Sequence, residues 1–257
     1  MFKFNDEVVF FDLETTSADP YTARIVQFSS VCEYDERNLY INPDDVISEG
    51  ATKVHGISND DVKDLPNFRH HAQELFTLLD GKYWAGYNNA RFDIPILKRE
   101  FEIAQIKVPK CKGVLDGFRI FCHFYGQPRV KGVRTLMAAH TFYCGYRFND
   151  AHDALADIRA TRNVIAVQLE RHKLSLNEYI AISQKKDDRI DHRGVFKFKN
   201  KEAIICIGKF SGAKIASLPL NYLAWIANNS SFGEDARQIA NNAIQGILPV
   251  QPSVIRR

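Results

Sequence analysis

Nowhere among its 257 residues does the chain carry an apolar run approaching the roughly 18 residues of a membrane span. No spanning helix is therefore expected. It also lacks any Cys-x-x-Cys pair. Its five cysteines, Cys32, Cys111, Cys122, Cys144 and Cys206, are scattered and odd in number. That argues against a disulfide framework and fits the reduced thiols of a cytosol. The first residues, Met1-Phe2-Lys3-Phe4-Asn5-Asp6-Glu7, turn acidic before the first apolar run. A secretory signal has the opposite order, basic and then apolar. Internal repeats and low-complexity tracts are missing as well, which excludes solenoids and compositionally disordered chains. Together these absences predict a soluble, cytoplasmic protein with no membrane partner.

Overall charge is also scarce, at +3, but it is unevenly spread. Residues 189–257 carry ten Lys and Arg against four Asp and Glu, whereas the body before them is slightly acidic. A basic appendage fits a polyanionic partner, or simply a solvated surface. The hydrophobic share of 45% is enough for one sizeable core plus an appendage.

Strands are expected at 7–13, 24–33, 37–41 and 83–87, with "EYDERN" linking the second and third as a hairpin. Helices are expected at 67–79, 92–103, 135–143 and 153–172, the last with Asp153 as N-cap. Strands alternating with helices imply an α/β layered fold with a mixed sheet. The polar, charged segment "SQKKDDRIDHRG" reads as a boundary. It divides the chain into a domain at 1–182, a linker at 183–193 and a small basic α+β domain at 194–257. In the last, "VFKFKN" and "EAIICIGKFSG" read as strands, and "LNYLAWIANN" and "EDARQIANNAIQG" as helices.

The chemistry is carried by acids. In "EVVFFDLETT", Asp12 and Glu14 end an apolar strand and project to one face, because side chains alternate along a strand. Two carboxylates there repel unless a cation sits between them, and magnesium prefers oxygen ligands. Surface acids at a strand end are the competing reading. In "GYNNARFDIPIL", Asp93 lies in the first turn of a helix, where the helix dipole favours an acid in any case. In "NDAHDALADIRATRN", His152 precedes a helix that holds Asp157. Five residues on a helix are about 140° apart, so the two meet one target only if His152 belongs to the preceding loop. That suits a mobile general base beside a fixed metal ligand. Cys111, Cys122, His123, His140 and Cys144 include enough candidate ligands for zinc, yet their spacings match no common zinc module.

Asp-x-Glu after an apolar strand, then N-A-x-F-D, then H-x4-D with A-D-x-x-A-T, resembles the DEDDh branch of the DnaQ-like 3′–5′ exonucleases over roughly residues 5–170. The resemblance implies an RNase H-like fold, a five-stranded mixed sheet flanked by helices. It implies that Asp12, Glu14, Asp93 and Asp157 hold two magnesium or manganese ions and that His152 deprotonates the attacking water. "KVHGISNDDV" resembles the family segment at the terminal nucleotide. On that basis Leu13 and Thr15 contact this nucleotide, His55, Gly56 and Ile57 bound its base and sugar, and Asn89 and Phe92 shape the motif around Asp93. A sister branch of the family uses Tyr-x3-Asp, a spacing that Tyr146 and Asp150 share. Asp150, however, precedes the expected helix, whereas Asp157 lies inside it.

Arg129, Lys131 and Arg134 sit among glycines and a proline just ahead of the third motif. They are candidates for holding strand phosphates, with a solvated basic loop as the alternative. The tail motifs G-K-F-x-G and P-x-x-Y-L-x-W resemble the small C-terminal domain of exodeoxyribonuclease X-like proteins. There Lys197, Lys199, Lys201, Lys209 and Lys214 suit a nucleic-acid backbone, and aromatics such as Phe210 suit stacking on bases. The expectation is a metal-dependent exonuclease that releases nucleoside 5′-monophosphates from DNA 3′ ends, in preference to RNA, in a DNA repair role. A polymerase proofreading subunit, an RNA-trimming exoribonuclease and a nucleic-acid-binding module on an inactive nuclease fold are the alternatives.

Overall fold

The computed structural model describes residues 2–125, 135–148, 154–184, 188–191 and 194–250. The chain forms two compact units, Met1–Lys185 and Lys186–Arg257.

The first unit is built on five strands: β1 (Val8–Thr15), β2 (Ile25–Val31), β3 (Glu36–Tyr40), β4 (Lys82–Gly86) and β5 (Cys111–Asp116). Their order across the sheet is β3-β2-β1-β4-β5. β2 pairs antiparallel with both β1 and β3, while β4 pairs parallel with β1 and β5. The central strand β1 is buried on both faces, which is why it reads as an unbroken apolar run. Its odd residues Val9, Phe11 and Leu13 pack on one side, and Val8 and Phe10 on the other. By the same alternation Asp12 and Glu14 continue the Val8–Phe10 side.

Eight helices accompany the sheet among the described residues: α1 (Glu49–His55), α2 (Asn59–Val62), α3 (Phe68–Leu79), α4 (Asp93–Ile103), α5 (Gly117–Tyr125), α6 (Leu136–Cys144), α7 (Ala154–Arg171) and α8 (Leu176–Ser183). Residues of α3 and α4 join the cluster around Phe11, and those of α5, α7 and α8 the cluster around Phe10. In α7 the buried residues Ala154, Ile158, Thr161, Ile165 and Gln168 follow helical spacing. Asp157 therefore stands at the edge of the buried stripe. In α4, Ile94, Leu97 and Phe101 are buried, and Pro95 falls in the first turn, where no intrahelical N–H bond is lost.

The expected elements of this unit recur with end shifts of one or two residues. Glu36, read as hairpin loop, opens β3, whose exposure alternates as an edge strand. The turn is tighter, closed by the Cys32 N–H on the Asp35 carbonyl at 2.9 Å.

A buried ion pair ties β2 to α4. Arg24 Nε donates to Glu100 Oε1 at 2.6 Å and Nη2 to Oε2 at 3.1 Å, and the Ile25 N–H reaches Oε1 at 3.3 Å. The Glu100 side chain is 2% exposed. Glu100→Ala strands a cation and an N–H, so it should cost about 3 kcal/mol. The melting temperature should fall by roughly 5–10 °C. In a thermal double-mutant cycle with Arg24→Ala the losses should be strongly sub-additive; additive losses would contradict the pair's role.

The second unit opens with the hairpin β6 (Phe196–Lys199) and β7 (Glu202–Ile205). Asn200 and Lys201 turn it, at φ of 51° and 67°, the left-handed pair of a tight hairpin. Two helices, α9 (Leu220–Asn228) and α10 (Glu234–Ile244), follow. They close a core of Phe196, Ile205, Leu223, Ile226, Ala236 and Ala240. Asp191 anchors the hairpin by accepting the N–H groups of Val195 and Phe196 at 3.0 and 2.6 Å. The G-K-F segment, read as strand, is instead a 3-10 turn over Gly208–Phe210.

Candidate active site

The parallel pairing of β1 with β4 brings their carboxyl ends side by side, where open α/β sheets hold their ligands. β1 runs on past this point and its register against β2 slips, with Glu14 facing Gln27 and Thr15 facing Ile25. Such bulges re-aim side chains next to functional sites. From the end of β4 the chain turns through Asn88, in the left-handed region at φ 66°, and enters α4 at Asp93. The Leu13 N–H donates to Asp93 Oδ1 at 3.1 Å, which locks α4 onto the acidic end of β1.

Electrostatics bring in the fourth acid. Burial pushes the Asp12 carboxyl well above the ordinary carboxylate range, and the charges of Asp93, Glu14 and Asp157 push it further. Glu14 is pushed up to about 7, again by burial first and then by Asp157 and Asp93. Burial also raises Asp93, and Asp116 adds to it, against the N–H bond from Leu13. Three elements thus aim four carboxylates at one region, and the strongest influences on Asp12 and Glu14 all favour their protonated forms.

This donor set consists of hard oxygens whose crowded charge a divalent cation neutralises, so its chemistry fits magnesium or manganese. As the side chains stand, no group of three or more His, Cys, Asp or Glu among the described residues is set to hold an ion. The candidate zinc residues accordingly form no such group. His140 Nδ1 is engaged by the Tyr146 carbonyl at 3.0 Å, and Cys111 Sγ by the Gly113 carbonyl at 3.3 Å.

The remaining candidates occupy several settings. Leu13 is a core residue, 4% exposed. Thr15 is buried and its hydroxyl donates to the Ser17 carbonyl at 2.8 Å. His55 Nδ1 accepts the Ile57 N–H at 3.1 Å, which leaves the proton on Nε2 to bond the Thr15 carbonyl at 3.2 Å. Both ring nitrogens are therefore spent on pinning residues 55–57 to the end of β1, and burial lowers the ring's proton affinity. Gly56 caps α1 at φ 79°, a left-handed conformation that favours glycine. Ile57 is buried with Val26, Ile47 and Val62. Phe92 is the N-cap residue of α4 and packs partly against the core. Asn89 is fully buried, and neither amide atom has a hydrogen-bond partner among the described residues. A Cβ on Gly86 would lie 2.7 Å from it, so glycine is required there. His152, Asp150, Asp153, Arg129, Lys131 and Arg134 lie outside the described residues.

Asp116 was not among the sequence candidates. Fully buried at the end of β5, it accepts the N–H groups of Asn88 at 2.9 Å and Ala90 at 3.3 Å through its two oxygens. It also accepts the Phe118 N–H at 3.0 Å. One carboxylate thus fixes both the turn that presents Asp93 and the start of α5. Its only sequence signal is an acid closing the short run "GVLDG".

The RNase T exonuclease model matches residues 9–165, more than half of the chain and all three acidic motifs. The chain belongs to this DnaQ-like exonuclease family. It is similar to Protein NEN4 of Arabidopsis thaliana, 29% identical over 63% of this chain and 66% of NEN4. It is 30% identical to Protein NEN1 of the same plant, over 62% of this chain but only 35% of NEN1. The 3′-5′ exonuclease DinG of Bacillus subtilis is 36% identical over 42% of this chain and 12% of DinG. The chain therefore spans from about two thirds to a small part of these relatives. Among solved structures, Exonuclease X in complex with 5′ overhanging duplex DNA has a TM-score of 0.53 at 17% identity, over 68% of this chain and 99% of that one. E. coli Exonuclease I in complex with a dT13 oligonucleotide also has a TM-score of 0.53, at 21% identity, over 65% of this chain and 42% of that one. Both likenesses concern the fold, a mixed five-stranded sheet flanked by helices. Among the described residues no helix is long and apolar enough to cross a membrane.

Proposed function

We infer that the chain is an active, metal-dependent 3′–5′ exonuclease of the DEDDh branch, releasing nucleoside 5′-monophosphates from DNA 3′ ends in repair. The observation that carries this reading is the convergence of Asp12, Glu14, Asp93 and Asp157, in which Asp93 and Asp157 raise the proton affinity of both Asp12 and Glu14. Four acids from three elements are costly to gather, and a stable fold tolerates them where function requires them. These four residues would hold two magnesium or manganese ions, which supply Lewis acidity at the scissile phosphate and acidify the attacking water. His152 is assigned the proton of that water, because the H-x4-D spacing places it just ahead of α7. Leu13 and Asp116 act indirectly, one through its N–H on Asp93 and the other by fixing the turn at Asn88. The His55–Ile57 segment, pinned to Thr15, is assigned to the terminal nucleotide, and Arg129, Lys131 and Arg134 to the phosphates behind it.

DNA is the preferred substrate in this reading. The similar solved structures of Exonuclease X and Exonuclease I hold DNA, and the tail motifs resemble those of exodeoxyribonuclease X-like proteins. The test is a digestion panel of single- and double-stranded DNA and RNA with magnesium, read as mononucleotide release. Faster release from DNA than RNA is expected. Preference for RNA would overturn the substrate, and no release from any substrate would favour an inactive binding module.

A further inference from the structure

The tail motifs converge on one structure in the second unit. Gly208 stands at φ 62°, and any Cβ there would collide with the Tyr222 hydroxyl. The glycine thus lets the G-K-F turn close over Tyr222. Phe210 meets the Tyr222 ring edge-on at 4.7 Å, with Lys209 Nζ 5.0 Å from the Phe210 centroid. Tyr222 lies against Trp225 at 5.4 Å and 33°, and Phe232 braces Trp225 edge-on at 5.2 Å. A four-ring row therefore fixes the indole. Trp225 nevertheless remains 50% exposed.

Helical spacing explains what surrounds it. Leu223, Ile226 and Ala227 bury one side of α9, while Asn221, Ala224, Trp225 and Asn228 follow one another on the opposite side. With Asn229 and Ser230 these residues line an open groove of about 530 Å³, roomy enough for a planar ring. The asparagines offer both polarities. Asn228 spends an amide N–H on the Ala224 carbonyl, so its oxygen stays available as an acceptor. Asn229 spends its oxygen on the Ser231 N–H, so its amide stays available as a donor. The lining contains no charged residue. Residues 189–257 nonetheless carry ten basic residues against four acids. Of those acids Asp191 is buried and Glu202 pairs with Lys214.

We propose that this groove is a nucleobase-stacking subsite, in which an unpaired base of a single-stranded segment lies on Trp225 within reach of the Asn228 and Asn229 amides. The inference rests on the reading of the chain as a nucleic-acid enzyme and assigns its second unit a share of substrate holding. Stacking on an aromatic face tolerates any base, and the net basic charge of residues 189–257 suits a polyanionic strand.

The chain's two tryptophans make the test direct, because Trp84 is fully buried and Trp225 half exposed. The full chain, in EDTA, is titrated with a thymidine homopolymer and with an abasic homopolymer of equal length, following tryptophan emission. Quenching is expected with the thymidine polymer alone. Read by the anisotropy of end-labelled polymers, Trp225→Ala should weaken the thymidine polymer about tenfold and leave the abasic one within about twofold; Trp225→Phe should restore part of the loss. Unchanged emission at saturating thymidine polymer would leave the groove to a protein partner and overturn the proposal, as would equal losses on both polymers. A chain that releases nucleotides without quenching refutes this subsite alone. Quenching without nucleotide release refutes the exonuclease reading and leaves the subsite standing.

Discussion

Asp12→Asn raises the melting temperature of the metal-free protein near neutral pH and abolishes nucleotide release. Both effects have the same origin. The Asp12 carboxyl is held well above its ordinary range by burial and then by Asp93, Glu14 and Asp157. A carboxyl whose folded-state pKa lies above its unfolded value costs no stability below the unfolded value, near pH 4. The cost grows as pH rises from there toward the folded pKa. In EDTA the variant should therefore match the wild type near pH 4 and exceed it by several degrees near pH 7.5, since each tenfold rise in a group's proton affinity on folding is worth about 1.4 kcal/mol. Saturating magnesium should reverse the order, because a cation bound only by the folded wild type adds stability that the variant forfeits. Nucleotide release should fall on the order of a thousandfold. Thermal scans across pH, with EDTA and with magnesium, check the first half. A variant less stable than the wild type in EDTA near pH 7.5 would contradict the electrostatic account.

The second large effect separates the two histidine and tyrosine assignments. His152→Ala should reduce nucleotide release by about 10²–10⁴-fold, the range for losing a general base, and Tyr146→Phe should leave it within about twofold. Tyr146 is 56% exposed; its carbonyl engages His140 and its ring packs edge-on against the His140 ring at 4.8 Å. Nothing in that setting directs its hydroxyl to the carboxylates. Single-turnover rates of both variants on one labelled DNA strand decide the matter, and the reverse pattern would exchange the assignments. Melting temperatures close to wild type for both would show that chemistry, not folding, changed.

The strand that begins the site was legible because β1 is buried on both faces and so reads as continuous apolar sequence ending in acids. The α7 stripe was legible for the opposite reason, its repeat of buried residues at helical spacing. One edge was legible too, since β3 was expected to within one residue at each end. The other was not: β5 is a six-residue run opening Cys-Lys-Gly. Long-range partnerships were invisible as well. Glu100 looks like a surface acid of a helix until Arg24, 76 positions away, is placed beside it. Asp116 acquires meaning only from the N–H groups of Asn88 and Ala90. His55 shows how a family pattern marks a position without giving its local work: its ring nitrogens hold backbone at Ile57 and Thr15. In the tail, Gly208, Tyr222 and Trp225 were separate motif letters, and ring geometry joined them into one row.

The most direct test of the central claim is the polarity and metal dependence of digestion on a DNA strand labelled at its 5′ end. With magnesium, the labelled strand should shorten progressively from its 3′ end and release nucleoside 5′-monophosphates, and EDTA should stop the reaction. Loss of the 5′ label as a mononucleotide at the outset, or shortening that survives EDTA, would contradict the account.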